Sequence, residues 1–148
     1  MTGRTIAWAT LVAGTLDIVS AFVFTGTVGL VLRTVASGPF GDTLAQGPAG
    51  PALGLLTHFA LMAAMVSAYV TAAVRIPALN RYWPVAGLLY GVALWLVMYW
   101  IVLPLRWDSY RTPSEFMPIA RQLFSHCLCV GLPIAWIARR GIVRPSFN

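Results

Sequence analysis

Four apolar stretches, each close to the length that crosses a bilayer, constrain this chain more than any other feature. They run from about Ile6 to Leu32, Ala52 to Val74, Val85 to Leu105 and Ile119 to Ala138. A hydrocarbon core takes about 20 apolar residues per helix, and backbone hydrogen bonding inside it leaves only helices and closed barrels. Runs of this length read as helices. The expected fold is therefore all-α, an integral membrane four-helix bundle of up-down-up-down order in one domain.

Composition supports lipid as the solvent. Of the 148 residues, 59% are hydrophobic and 9% charged, against about 25% charged in a soluble domain. A chain this short cannot hide so much apolar surface in one core. The first run is too long for the apolar segment of a cleaved signal and is expected to remain as a span.

The net charge is +6, from ten arginines and no lysine against four acids. The arginines are scattered between the apolar runs, which points to membrane topology and the lipid bilayer as partner, with no nucleic acid. Arg4, Arg75, Arg81, Arg139, Arg140 and Arg144 fall on the side of the termini without an acid. Arg33, Arg106, Arg111 and Arg121 fall on the other side with Asp42, Asp108 and Glu115. The positive-inside rule then places both termini in the cytoplasm of a bacterial inner membrane. Trp8, Tyr82, Trp83 and Trp136 mark the inner interface, and Tyr99, Trp100 and Trp107 the outer one.

The connections differ in character. "RTVASGPFGDTLAQGPAGP" is rich in Gly and Pro and reads as a long loop with at most a short interfacial turn. "RIPALNRYWP" is a tight link, and "RWDSYRTPSEFMP" separates spans three and four. Ala9, Ala13, Asp17 and Ala21 form a small-residue stripe on span one, as do Ala60, Ala64 and Ala68 on span two, and both are expected at helix contacts. Such stripes also point to a homodimer, with a membrane-complex partner as the alternative. Pro133 removes a donor from span four and should leave the Cys129 carbonyl without its helical partner, so a kinked fourth helix is expected.

Few residues carry chemistry. Without lysine no side-chain Schiff base can form, which excludes a retinal-type pigment. Cys127 and Cys129 stand two apart in a helix, about 200° around it, match no redox or zinc pattern, and read as buried small hydrophobes. No nucleophile with base and orienting acid, phosphate loop or carboxylate pair is visible, so enzyme is the least supported class.

Three ionisable side chains inside the apolar runs need a reason, because such groups are costly in hydrocarbon. They are Asp17, His58 and His126. Counting along the spans puts both histidines roughly 10 Å below the outer boundary, and Asp17 about 9 Å deeper. Trp95 and Tyr99 fall near the histidine level. These five residues are the candidate ligand-binding set. Asp17 must be protonated, bonded to Ser20, Thr15 or Tyr69, or open to water. The readings left open are a small-ligand or proton-coupled binding and transport site, interhelical packing bonds, and a haem or metal held by His58 and His126. An accessory or scaffold subunit of a larger membrane complex is the alternative function. A small four-helix multidrug exporter also carries an acid in span one, but the long first and third loops argue against it.

The segments "VASGPFGD", "LGLLTHFALMAAMVSAYV", "GLLYGVALWLVMYWIVLPLR" and "LFSHCLCVGLPIAWIAR", in that order, resemble a family of small bacterial inner-membrane proteins of the YagU-like kind. Gly38, Gly41, His58, Phe59, Tyr90, Gly91, Pro104, His126, Gly131 and Pro133 carry the resemblance, which extends from about Gly14 to Arg139. It implies a four-helix membrane protein and supplies no reaction.

Overall fold

The computed structural model describes residues 2–142 and is helical throughout, with no strand among the described residues. Helix α1 spans Thr2–Thr25 and α2 Val28–Gln46; α3 spans Gly50–Arg75 and α4 Pro77–Arg81. A third long helix runs unbroken from Trp83 to Arg106. It comprises α5 (Trp83–Leu96), a π-helical stretch Val97–Val102 and α6 (Leu103–Arg106). A fourth comprises α7 (Phe116–Phe124), a π-helical stretch Ser125–Gly131 and α8 (Leu132–Ile142).

Three of these helices, Thr2–Thr25, Gly50–Arg75 and Trp83–Arg106, are long and apolar enough to cross a membrane. Only 28%, 33% and 17% of their most apolar windows is buried inside the protein, so most of that apolar surface faces outward. The fourth helix meets the length but carries Arg121, Gln122, Ser125 and His126 in its first half and is not among them.

The first apolar run does not form one helix. It ends at Thr25, where Gly26 takes φ +71°, a left-handed conformation that glycine adopts at no steric cost. The chain restarts at Val28, and the segment expected to be a loop is α2. Its glycine signal is spent at a single point, Gly41 (φ +74°, ψ 167°), which divides α2 into two helical parts. Each part ends on backbone carbonyls held by an arginine. Arg106 donates to the carbonyls of Ser37 (2.7 Å) and Gly38 (2.6 Å), and Arg33 to those of Ala45 (2.9 Å) and Gly47 (2.7 Å). Carbonyls at a helix end lack donors from their own helix, and each guanidinium bonds two of these at once, Arg106 through Nε and Nη2 and Arg33 through Nη1 alone. Tertiary contacts thus make a helix from a sequence with loop composition. The helix packs along the first half of α3, where the Leu32 backbone meets Gly54.

The interior combines Ala9 and Ala13 of α1, Met62, Val66, Val70 and Ala73 of α3, Leu94 of α5, and Val130, Ile134 and Ala138 of the fourth helix. On α3 the buried stripe is Gly50, Gly54, His58, Met62, Val66, Tyr69 and Val70. Ala60, Ala64 and Ala68 stand two residues on from His58, Met62 and Val66, about 200° around the helix, and are exposed. That small-residue stripe is not a helix contact, whereas Ala9 and Ala13 are fully buried. Besides the contact of Leu32 with Gly54, the third and fourth helices also bring their backbones close together through glycines. A Cβ on Gly91 would come within 2.4 Å of the His126 carbonyl oxygen, and one on Gly131 within 2.1 Å of the Gly87 carbonyl oxygen.

Pro133 breaks the fourth helix differently from the simple kink expected. The chain switches ahead of it to π register, in which Leu132 N–H bonds the Cys127 carbonyl five residues back. The third helix does the same ahead of Pro104, with Leu103 N–H on the Met98 carbonyl. Both π-helical stretches are followed directly by Leu-Pro, and the wider register re-pairs carbonyls where a proline supplies no donor.

Candidate functional site

The two π-helical stretches, α1, α2 and α3 enclose a cavity of about 400 Å³. Asp17 reaches it from α1 and His58 from α3. The π-helical stretches supply Tyr99 with Met98, and His126 with Val130. Leu30, Val31, Thr34 and Val35 of α2 close one side, and Met62 and Met65 of α3 contribute thioethers. π-Helical turns often sit at functional sites because the extra residue re-aims side chains without ending the helix; here two of them face one space.

Asp17 is half-buried, and its Oδ1 accepts a hydrogen bond of 2.8 Å from Ser125 Oγ. Ser20 Oγ donates to the Asp17 carbonyl at 2.8 Å and lies against Ser125 Oγ. Among the described residues no hydrogen bond reaches Asp17 Oδ2, and no cation pairs with it. The expected partners Thr15 and Tyr69 do not bond its side chain; the donor comes from the fourth helix. Because α1 stops at Thr25 and not Leu32, Asp17 stands eight residues from the helix end, about 12 Å, and lines the same cavity as the histidines.

His58 is buried, and its Nε2 lies 2.8 Å from the Gly14 carbonyl of α1. His126 Nδ1 lies 3.0 Å from the Gln122 carbonyl one turn back. A carbonyl only accepts, so each of these nitrogens carries a hydrogen. In the neutral ring the other nitrogen, Nδ1 of His58 and Nε2 of His126, is then an acceptor, and neither has a hydrogen-bond partner among the described residues. The rings do not bond each other. Both line the cavity, and the Tyr99 ring meets His126 edge-on at 5.8 Å.

Trp95, expected to line the site, stands behind it. Its Nε1 donates to Gln122 Oε1 at 3.0 Å and its ring lies 6.2 Å from that of Tyr99. It fixes the residue whose carbonyl orients His126, and so positions that ring from outside the cavity. Ser125, which its place beside His126 suggests as a partner for a backbone carbonyl or a ring nitrogen, bonds the Asp17 carboxylate instead, and Met98 and the whole α2 wall belong to the site and were not expected there.

Chemically, the cavity offers acceptors: a carboxylate oxygen and two imidazole nitrogens, set in a lining of Met, Leu and Val. Among the described residues no three of His, Cys, Asp or Glu gather as a metal-ligand set. Cys127 and Cys129 are free thiols, and Cys127 Sγ is directed at the Leu88 carbonyl, 3.7 Å away.

Comparisons with protein-family profiles, with curated proteins and with solved structures return no match to this chain.

Proposed function

We propose that this chain is a small protein of the bacterial inner membrane that binds a small, hydrogen-bond-donating cation in a proton-coupled manner, using the cavity between Asp17, His58, His126 and Tyr99. In this reading the fourth long helix is also a span, the four spans run up-down-up-down, and both termini are cytoplasmic. The outward apolar surface of the three long helices supports membrane integration.

One observation carries the functional reading. Three polar groups that line the cavity are each fixed by one bond to the scaffold and keep one acceptor atom without a hydrogen-bond partner among the described residues: Asp17 by Ser125, His58 by Gly14, His126 by Gln122. Side chains meant only to bind helices together would spend their acceptors on each other. Acceptors around an apolar cavity select a ligand with an N–H donor, a positive charge and a short apolar body, such as a primary alkylammonium ion. A carboxylate in hydrocarbon needs neutralising, and one proton or one ammonium does so; the two exclude each other, which couples binding to protons.

The test is calorimetric titration of the protein in lipid nanodiscs with primary alkylammonium ions of four to eight carbons. The cations should bind, and Asp17→Asn, which retains an acceptor for Ser125, should weaken that binding at least tenfold. Equal affinity in the variant and the parent sinks the proposal.

A further inference from the structure

At the end of the molecule that carries the N-terminus, α1 and α8 form a second cavity of about 380 Å³, unrelated to the first. Its walls are two helical stripes. Arg4, Trp8 and Val12 follow each other at four-residue spacing on α1, and Trp136, Ile137 and Arg140 lie on one face of α8. The helix ends meet tightly here: a Cβ on Gly141 would lie 2.1 Å from Thr5 Oγ1. That approach brings Arg4 and Arg140 to the mouth of one cavity.

The charge at this end is one-sided. Arg4, Arg75, Arg81, Arg139 and Arg140 lie here, while three of the four acids, Asp42, Asp108 and Glu115, are at the opposite end and Asp17 is inside the first cavity. No ion pair engages Arg4 or Arg140 among the described residues. The Arg140 guanidinium carbon lies over the Trp136 ring, 4.2 Å from its centroid, and no hydrogen bond of its N–H groups is found among the described residues. Trp8 and Trp136 are 59% and 40% exposed, an unfavourable state for indoles in water and a favoured one at a lipid headgroup boundary. Below the arginines the wall turns apolar, with Val12 and Ile137.

We propose that this cavity binds one anionic phospholipid of the leaflet on the terminal side, its phosphodiester held by Arg4 and Arg140 and its glycerol and first acyl methylenes lying between Trp8 and Trp136. Paired guanidinium groups match phosphate oxygens, and basic pockets between membrane helices are suited to such headgroups. The inference shares with the proposed function only the premise that the helices sit in a bilayer; it does not depend on the Asp17 cavity.

The experiment is native mass spectrometry of the protein released from nanodiscs of phosphatidylcholine with one fifth phosphatidylglycerol. The parent should retain one phosphatidylglycerol. Arg4→Ala with Arg140→Ala should lower that retention at least tenfold, and Arg75→Ala with Arg81→Ala, at the same end but outside the cavity, by less than twofold. Arg140→Lys, which keeps the charge and loses the stack on Trp136, should lower it about threefold. Equal losses in the two double variants would mean diffuse attraction to the basic end and overturn the site. Displacement of the lipid by millimolar inorganic phosphate would overturn the lipid assignment in favour of a free-phosphate site. Alkylammonium binding should be unchanged in the Arg4 and Arg140 variants, which separates failure here from failure of the cation reading.

Discussion

Ser125 Oγ donates to Asp17 Oδ1 across 2.8 Å and joins two residues 108 positions apart in the chain. The bond fixes a carboxylate of the first helix to the start of a π-helical stretch in the last, one residue before His126. Ser125→Ala should therefore act on stability and on the site together. Membrane hydrogen bonds average under about 1 kcal/mol, while bonds to charged groups reach about 1.5–3 kcal/mol. A loss of about 1–2 kcal/mol is expected by reversible denaturant unfolding in mixed micelles. Asp17→Asn, which keeps an acceptor, should cost under about 1 kcal/mol and yet weaken ligand binding more than Ser125→Ala does.

The two histidines should separate in the same assay. His58 is buried and bridges α3 to α1 through Gly14, so His58→Ala leaves a space and removes an interhelical bond, a cost of about 2–3 kcal/mol. His126 bonds only the carbonyl of its own helix and is half-buried, so His126→Ala should cost under about 1 kcal/mol. Equal destabilisation by the two would contradict the bonding described. Both should weaken alkylammonium binding.

The site was legible in the sequence where polarity was rare. Asp17, His58 and His126 stand out because almost everything around them is apolar, and Tyr99 follows from their level on the neighbouring helix. What hid the rest was distance along the chain. The length of α1 depends on the backbone conformation of Gly26, which ends the helix seven residues before the apolar run does, and the bond from Ser125 to Asp17 spans 108 positions of chain. Helix α2 is held by Arg106, which caps carbonyls 68 and 69 residues earlier, and no local reading of a Gly- and Pro-rich segment contains that contact. The π-helical stretches did leave a mark in the two Leu-Pro pairs at 103–104 and 132–133, of which only Pro133 was read as a perturbation.

The arginine caps of α2 lead to a local prediction. Arg33→Ala removes two charge-assisted bonds to the Ala45 and Gly47 carbonyls, at a combined cost of about 2–3 kcal/mol. The effect should be confined to the part of α2 beyond Gly41. Amide hydrogen exchange at residues 42–50 is expected to rise by at least tenfold, with the exchange of α1 and the core of α3 unchanged. Uniform acceleration across the molecule would instead make Arg33 a global support.

Glycine positions at the third and fourth helices offer a steric test. Gly131→Ala places a methyl against the Gly87 carbonyl, in backbone that cannot rotate away, and should destabilise by about 3 kcal/mol or prevent folding. Gly29→Ala meets nothing within 4 Å in α2 and should be neutral or stabilising by up to about 1 kcal/mol. Thermal unfolding in detergent measures both. Tolerance of alanine at position 131 would mean that the third and fourth helices sit farther apart.

Orientation is the last expectation, and charge decides it. The end that holds Arg4, Arg75, Arg81, Arg139 and Arg140 has no acid among the described residues, whereas the other end mixes Arg33, Arg106, Arg111 and Arg121 with Asp42, Asp108 and Glu115. Lysine and arginine bias short loops to the cytoplasm, and acids contribute little, so the comparison is five arginines against four. A cysteine placed at Asp108, with Cys127 and Cys129 changed to alanine, should react with a membrane-impermeant maleimide in intact cells. A cysteine placed at Gly3, where no side chain lies within 4 Å, should react only after lysis. The reverse pattern would put the arginine-lined cavity on the outer leaflet and turn the Asp17 cavity toward the cytoplasm.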